Sequence, residues 1–356
     1  MPNADWMAEF SDREELSLVD ITFPASHDAG LQEAQGGFTG YTKVASKSDT
    51  ICQYFDIAGQ LEVGSRAFDL RIARRKGVLR TFHGEGNPAA LMGGGWGQDA
   101  RSIFEQTDRF LRDHPGEIVI LRISHTDEKD GVHNLVRACI RQMRLVTCGP
   151  RNLALEPLPN LRGKALVIFD SKALKHTKPY QGLHRLAKYD AETGFSGEGL
   201  PICGKYAGQF AGTLTGNQKM REMTQYALNY GNAHGGHRRT LGRHDHLFMV
   251  YWQLAWNVKS KTINKKGDRD PDLRKLDDDR GTHYNIDYLF NCHRGKANMY
   301  HVTWNPKIGK KTKVSSVITA EKRMIYRPNW INLDFVCDEI CDKVIEFNRE
   351  FLPPEL

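Results

Sequence analysis

The chain has 356 residues, and 50 lysines and arginines against 43 aspartates and glutamates give it a formal net charge of +7. Hydrophobic residues make up 40% and charged residues 26%, a composition that excludes a wholly disordered chain. No run of about 18 apolar residues occurs, which excludes a transmembrane helix. The length fits one α/β barrel of about 250 residues with insertions, and we expect a single domain over residues 1–356.

The charge distribution and the first residues indicate which partners and location to expect. The positive excess is spread along the chain, which suits an anionic substrate or an acidic membrane surface rather than nucleic acid. Residues 1–10 lack a basic stretch followed by an apolar one, so we expect a cytoplasmic protein or one exported without a Sec-type signal. The seven scattered cysteines are interpreted as structural or incidental thiols, and we expect a monomer.

Short β-branched runs alternate with helical patterns along the whole chain. Predicted strands lie at 20–23, 66–72, 79–82, 117–124, 164–169, 246–256 and 330–336, and predicted helices at 54–63, 102–112, 132–145, 217–230 and 338–347. Residues 171–215 are rich in glycine and lysine and are hard to place, and residues 259–280 form a charged insertion or loop. This alternation without a linker predicts a closed or nearly closed α/β barrel.

Polar residues that suit phosphodiester chemistry lie at or near the ends of the first three predicted strands. His27 and Asp28 follow the first strand, Asp69 and Arg71 share one face of the second, and His83 follows the third. The C-terminal strand ends form the active face of an α/β barrel, so these side chains can converge. One histidine can take a proton from an attacking hydroxyl while the other protonates the leaving oxygen, and arginine can hold the phosphoryl oxygens. Such a set needs no metal.

The same residues also have simpler structural interpretations. His27 and Asp28 could form a turn that caps the next helix, and His83 could be a turn residue. Asp69 and Arg71 could form an ion pair on a solvated edge. Charged side chains that face a barrel interior are rare, however, and favour a functional role. The convergence of several motifs favours function over these alternatives.

Four motifs, in order, resemble the X domain of phosphatidylinositol-specific phospholipases C. They are PASHDAG, QLEVGSRAFDLRI, FHG and FLRDHPGEIVIL, all within residues 21–169, with a weaker echo in NLDFV near the end. The resemblance is to the bacterial, metal-independent type. It implies a distorted, incompletely closed (β/α)8 TIM barrel, no cofactor, and a phosphodiesterase that cleaves a phospholipid through a cyclic phosphate.

The resemblance also implies roles for the two histidines and their carboxylate partners. His27 is similar to the general base that deprotonates the inositol 2-hydroxyl. His83 is similar to the general acid for the diacylglycerol oxygen, with Asp28 as its carboxylate partner. Asp334, in the NLDFV segment, is the best match to the late aspartate that orients the general base. N-terminal capping of the last helix is the structural alternative for Asp334.

Other positions bear on metal dependence and on the head group. Arg71 matches the arginine that bacterial members carry where metal-dependent relatives use calcium ligands, and Asp69 is similar to the acidic residue beside it. Bacterial members carry basic residues that touch the inositol at two further strand ends. Here those neighbourhoods hold Ser124, His125 and Asp170, so the identity of the head group stays open between phosphatidylinositol and another phospholipid.

Aromatic residues and glycine-rich runs are candidates for contact with lipid. Tyr251 and Trp252 stand in an apolar predicted strand, where core packing is the default, although either can reach the head-group pocket. Residues 36–41 and 91–96 are predicted glycine loops with apolar side chains. They either border the pocket mouth and meet a membrane interface or fold back on the barrel.

Two other functions fit the same residues. A metal-dependent phosphodiesterase of the glycerophosphodiester or sphingomyelinase D kind would use Asp69 and Glu85 to hold Ca²⁺ or Mg²⁺, but Arg71 is unfavourable beside a cation. A catalytically silent barrel would bind lipid head groups without the reaction. The presence of every expected catalytic residue favours an enzyme, and a requirement for divalent metal would distinguish the first alternative.

Overall fold

The computed structural model of the chain describes a barrel together with the elements that flank it. It covers residues 3–32, 51–85, 92–124, 132–147, 151–169, 182–188, 199–205, 245–252, 286, 290, 301–305, 310–314 and 327–352. Several predictions lie outside the described residues: the helix at 217–230, the charged segment 259–280, the run 36–41, His125, Asp170 and the side chain of Glu85.

Eight parallel strands form a closed ring. In spatial order they are β1 (Phe23–Ser26), β12 (Trp330–Leu333), β9 (Leu247–Tyr251), β8 (Leu200–Lys205), β7 (Leu183–Lys188), β6 (Lys164–Phe169), β5 (Ile118–Ser124) and β2 (Ala67–Arg75). The ring closes where Ala25 pairs with Ala67 and Ser26 with Phe68. The predicted α/β barrel is therefore confirmed, and the ring is closed through a seam of only two residue pairs.

Four further strands are described outside the ring, two of which extend it. β3 (Val78–Glu85) pairs antiparallel with β2, and β4 (Met92–Asp99) pairs antiparallel with β3. A separate two-stranded sheet is formed by β10 (His301–Asn305) and β11 (Lys310–Val314). The prediction of a glycine loop at 91–96 was wrong, because β3 supplies backbone partners and glycine tolerates an extended backbone as readily as a turn.

Four helices are described, and none of them is both long enough and apolar enough to cross a membrane. They are α1 (Ile57–Glu62), α2 (Ala100–Asp113), α3 (Val132–Ile140) and α4 (Asp338–Phe351). The Asp56 and Asp99 carboxylates accept backbone N–H groups at the starts of α1 and α2, as N-terminal caps do. Gly64, with φ +112°, follows the end of α1 where the sequence places a helix stop.

Alternate residues of the central strands belong to two hydrophobic clusters. In β5, Ile118 and Ile120 belong to one cluster, while Val119 and Leu121 belong to the other, which also contains apolar residues of α2 and α3. Both faces of β5 are therefore buried, as expected for a parallel strand in a barrel.

The first strand begins three residues later than predicted. The sequence places it at 20–23, whereas Leu18–Asp20 is a short 3-10 helix and β1 is Phe23–Ser26. Pro24 has no N–H group and normally argues against a central strand. In β1 it pairs in register with Ile331 of β12, and its carbonyl accepts the N–H of Arg66.

A buried ion pair fastens the N-terminal segment to the barrel, just before β2 and β5 begin. Nε of Arg66 lies 2.6 Å from Oε2 of Glu117, and both side chains are fully buried. The other guanidinium nitrogens donate to four backbone carbonyls: those of Asn3, Ala4, Leu61 and Ser65. The Glu117 carboxylate also accepts the backbone N–H groups of Met7 and Ala8. Burial raises the pKa of Glu117, and Arg66 acts against that rise.

Candidate active site

Six ionisable side chains meet at one end of the barrel. They are His27 and Asp28 after β1, Asp69 and Arg71 in β2, His83 in β3, and Asp334 after β12. Parallel strands present their C-terminal ends at one edge of a barrel, which explains why residues of β1, β2 and β12 converge there, and β3 brings His83 to the same end by pairing antiparallel with β2. The structure thus brings together all six residues that the sequence singles out as catalytic.

The Asp28 carboxylate lies at the centre of this group. Its Oδ2 is 3.4 Å from Nε2 of His27 and 3.6 Å from Nε2 of His83, and its Oδ1 is 3.0 Å from Nε of Arg71. Asp28 is buried, and its φ of +41° lies in the left-handed region that few non-glycine residues adopt. The turn is held by the N–H of Ala29, which donates to the carbonyl of Asp69 at 2.9 Å. One carboxylate therefore connects two imidazoles and a guanidinium.

His27 has a second carboxylate partner on its other ring nitrogen. Nδ1 of His27 and Oδ1 of Asp334 are 2.8 Å apart. A carboxylate on Nδ1 fixes the ring orientation and the tautomer, and leaves Nε2 on the side where Asp28 lies. This geometry matches the orienting role that the resemblance implies for Asp334.

Gln53 ties the strands that carry these two residues, and nothing in its sequence context signals this role. Its Nε2 donates to the carbonyls of His27 at 2.7 Å and Leu333 at 3.0 Å, and its Oε1 accepts the N–H of Val336 at 3.1 Å. The side chain is fully buried. Gln53 therefore fixes the end of β1 against the end of β12.

A second polar group lies beside the first. Nη1 of Arg122 is 2.8 Å from the Tyr251 hydroxyl and 3.6 Å from Oδ1 of Asp69. The Tyr251 ring stands edge-on to His27, with ring centroids 6.3 Å apart. Burial raises the pKa of Tyr251, so the hydroxyl stays protonated near neutral pH. The sequence analysis did not identify Arg122, because this residue is a single charge within a predicted strand that is otherwise mostly apolar.

The other predicted binding residues occupy different environments. Ser124 is buried at the end of β5, where it pairs in register with Arg71 of β2. Trp252 is fully buried and belongs to the larger hydrophobic cluster. Its backbone N–H donates to the carbonyl of Asn332 at 2.7 Å. Tyr251, not Trp252, is therefore the aromatic residue that faces the histidine.

The two histidines have opposite protonation preferences. Burial disfavours the imidazolium of His27, but the carboxylates of Asp28 and Asp334 outweigh it and raise the pKa of His27 to about 9. Burial lowers the pKa of His83, and the nearby Arg71 and His27 add to that effect. Near neutral pH one of the two rings is therefore an imidazolium and the other is neutral. In the free protein the imidazolium is His27, which carries the shared proton of the pair.

A thiol also lies inside this group. Three sets of side chains have ligand atoms within 4.8 Å of one another: His27, Cys52 and Asp334; Asp28, Cys52 and His83; and His27, Asp28 and Asp69. Burial and the carboxylates of Asp334 and Asp28 raise the pKa of Cys52 well above its ordinary value. The sequence gives Cys52 no distinguishing motif, and its place beside both histidines is evident only from the fold.

Comparisons with known proteins agree with the resemblance seen in the motifs. No family model matches the chain. The human PI-PLC X domain-containing protein 2 is 27% identical over 148 aligned residues, which cover 37% of this chain and 47% of that protein, so the match spans about half the length of the relative.

Solved structures show a likeness over almost the whole chain. A variant of the phosphatidylinositol-specific phospholipase C from Staphylococcus aureus is 14% identical to this chain, with a TM-score of 0.55. The alignment covers 98% of each chain. The enzyme from Listeria monocytogenes is 14% identical with a TM-score of 0.55, and covers 98% of this chain and 99% of its own. The chain therefore has the barrel fold of the bacterial phosphatidylinositol-specific phospholipases C.

Proposed function

We propose that the protein is a metal-independent phosphodiesterase of the phospholipase C type. The observation that carries this proposal is the single carboxylate of Asp28, which contacts His27, His83 and Arg71 at the C-terminal end of the barrel. Two histidines and an arginine around one point supply a base, an acid and a fixed positive charge. The barrel fold shared with phosphatidylinositol-specific phospholipases C supports the same reaction class.

The proposed reaction is an internal displacement at phosphorus. A hydroxyl next to the phosphodiester on the head group gives its proton to Nε2 of His27, and its oxygen forms a bond to phosphorus. The bond from phosphorus to the diacylglycerol oxygen breaks, and His83 protonates that oxygen. Arg71 holds the phosphoryl oxygens as negative charge develops. Water then opens the cyclic phosphate, with the histidines exchanging roles.

This sequence of steps requires the proton of the pair to move from His27 to His83. Asp28 contacts both rings, so it stabilises the imidazolium on either side. The anionic phosphate of a bound substrate, held by Arg71, favours the imidazolium of the neighbouring His83. Binding of substrate therefore prepares His27 as the base and His83 as the acid.

The pairing of the carboxylates favours this mechanism over a metal-dependent one. Asp28 contacts Arg71, and Asp69 lies 3.6 Å from Arg122, so both central carboxylates already face a guanidinium. A Ca²⁺ ion takes 6–8 oxygen ligands, and fixed positive charges beside it oppose binding. The substrate in this proposal is a phospholipid with an inositol-like head group, presented at a membrane surface to a monomer.

The test is cleavage of phosphatidylinositol vesicles by purified protein in EDTA. We expect release of the phosphorylated head group, with a cyclic phosphate as the first product, and no stimulation by Ca²⁺ or Mg²⁺. His114→Ala, which removes a half-buried histidine paired with Asp5 away from the site, is the matched control and should retain activity. Activity that appears only after a divalent cation is added would favour the metal-dependent alternative, and vesicle binding without cleavage would favour a silent barrel.

The dependence of kcat/KM on pH should reflect the shared proton. The reaction needs one proton on the pair, a state that exists between the lowered pKa of His83 and the pKa of His27 near 9. We expect kcat/KM to be flat through neutral pH. It should fall at pH values below the ordinary histidine pKa, where both rings become imidazolium, and again above about pH 9, where both rings become neutral. Asp334→Asn should move the alkaline limb to lower pH, and an alkaline limb unchanged in this variant would contradict the assignment.

A further inference from the structure

We infer that Cys52, His27 and Asp334 form a binding site for a soft divalent cation of the Zn²⁺ type, and that the ion inhibits the enzyme. The inference concerns regulation of the proposed active site and rests on the proposed function for its consequence. The binding step depends only on the geometry of three side chains whose ligand atoms lie within 4.8 Å of one another.

The donor set identifies the class of ion. A thiolate sulfur, an imidazole nitrogen and a carboxylate oxygen are the ligands that Zn²⁺ prefers, whereas Ca²⁺ and Mg²⁺ prefer oxygen alone. With Zn–S of about 2.3 Å and Zn–N of about 2.0 Å, a tetrahedral ion places sulfur about 3.5 Å from nitrogen. Separations of no more than 4.8 Å therefore need to shorten by little more than 1 Å, which side-chain rotation can provide.

The surroundings of the site hold its ligands in place, and the carboxylates of Asp334 and Asp28 act on Cys52 more strongly than the opposing charge of Arg71. The backbone around Cys52 is held on both sides, since its N–H donates to the carbonyl of Leu31 and its carbonyl accepts the N–H of Phe335, the residue after Asp334. Cys52 therefore keeps a fixed position relative to Asp334. Asp334 is partly exposed, which gives an ion a path from solvent, and the carboxylate of Asp28 lies on the other side of His27.

Occupation of this site would stop the proposed reaction. When the ion binds, the thiol of Cys52 and the imidazolium of His27 each release a proton, and their lone pairs bond to the metal. His27 can then no longer accept the proton of an attacking hydroxyl, and Asp334 no longer orients the ring. With three protein ligands, water completes the coordination.

The test is a titration of the full-length protein with Co²⁺, a spectroscopic substitute for Zn²⁺, followed by displacement with Zn²⁺. We expect a sulfur-to-cobalt charge-transfer band and ligand-field bands typical of four-coordination. Cys52→Ser should abolish the charge-transfer band and weaken Zn²⁺ binding by about 100-fold or more, since even outer-shell partners contribute 10–100-fold. Cys139→Ser, which alters a half-buried thiol on α3, should leave the band intact.

Two further measurements make the assignment specific. Asp334→Asn should weaken Co²⁺ binding while keeping the band, and Zn²⁺, but not Ca²⁺, should inhibit vesicle cleavage reversibly, with EDTA restoring activity. A charge-transfer band that persists in Cys52→Ser, or Zn²⁺ binding equal in Cys52→Ser and Cys139→Ser, would overturn the site. Because the Co²⁺ spectra need no turnover, an inactive protein that shows the band would contradict the proposed function alone, and an active protein without it would contradict the metal site alone.

Discussion

His83→Ala should lower kcat for cleavage of phosphatidylinositol by about 10²–10⁴-fold and should lose much less on a substrate whose leaving group is p-nitrophenolate. A general acid contributes by protonating a poor leaving group, and p-nitrophenolate departs without a proton. His83 contacts Asp28 and no other carboxylate among the described ion pairs, so its removal leaves the His27–Asp334 pair in place. The measurement is kcat for wild type and variant on the two substrates.

His27→Ala is the matched variant, and it should lose about 10²–10⁴-fold on both substrates. The base is needed to activate the attacking hydroxyl whatever group leaves. If His27→Ala were instead the variant that tolerates p-nitrophenolate, the proton found on His27 in the free protein would be the one donated to the leaving group, and the two roles would be exchanged.

Arg66→Ala should lower the free energy of unfolding by about 3–5 kcal/mol. The substitution leaves the Glu117 carboxylate buried without its partner at 2.6 Å, and it also removes the donors to four backbone carbonyls. Breaking a buried pair on one side leaves an uncompensated charge in a medium of low polarity. The midpoint of urea unfolding, followed by circular dichroism, measures the change in the free energy of unfolding.

The control for this experiment is Arg112→Ala. Arg112 pairs with Asp108 one helical turn away on α2, and its side chain is largely exposed. Such pairs contribute about 0.5 kcal/mol or less, because water screens them. A loss in Arg66→Ala no greater than that in Arg112→Ala would show that the buried pair does not fasten the N-terminal segment to the barrel.

The strands that the sequence predicts best are those buried on both faces. β5 and β6 consist mostly of apolar, often β-branched residues, and β6 matches its predicted limits while β5 begins one residue late. β7 and β8 were not assigned, because LHRLAK and LPICGK mix charged residues, proline and glycine with the apolar ones. Their place in the ring is fixed by pairing with β6 and β9, an interaction between distant segments that local patterns do not encode.

The candidate site shows the same division between local and distant information. His27, Asp28 and Arg71 stand in short motifs that recur in a known family, so their convergence was predictable from the chain alone. Gln53 was not, since it acts through carbonyls 26 and 280 positions away. Cys52 likewise has no motif, and only the folded chain places it beside the histidines. Residues that act by distant backbone contacts leave no periodic signal in the sequence.

The bond between His27 and Asp334 joins residues 307 positions apart. At about 5–20 residues per second, a ribosome completes Asp334 about 15–60 seconds after His27. During that interval the growing chain already carries both histidines, but β1 has only its two-pair seam with β2 and no β12 beside it. The proposed activity therefore needs synthesis to pass Asp334, because a chain released before that point lacks both β12 and the carboxylate that orients His27.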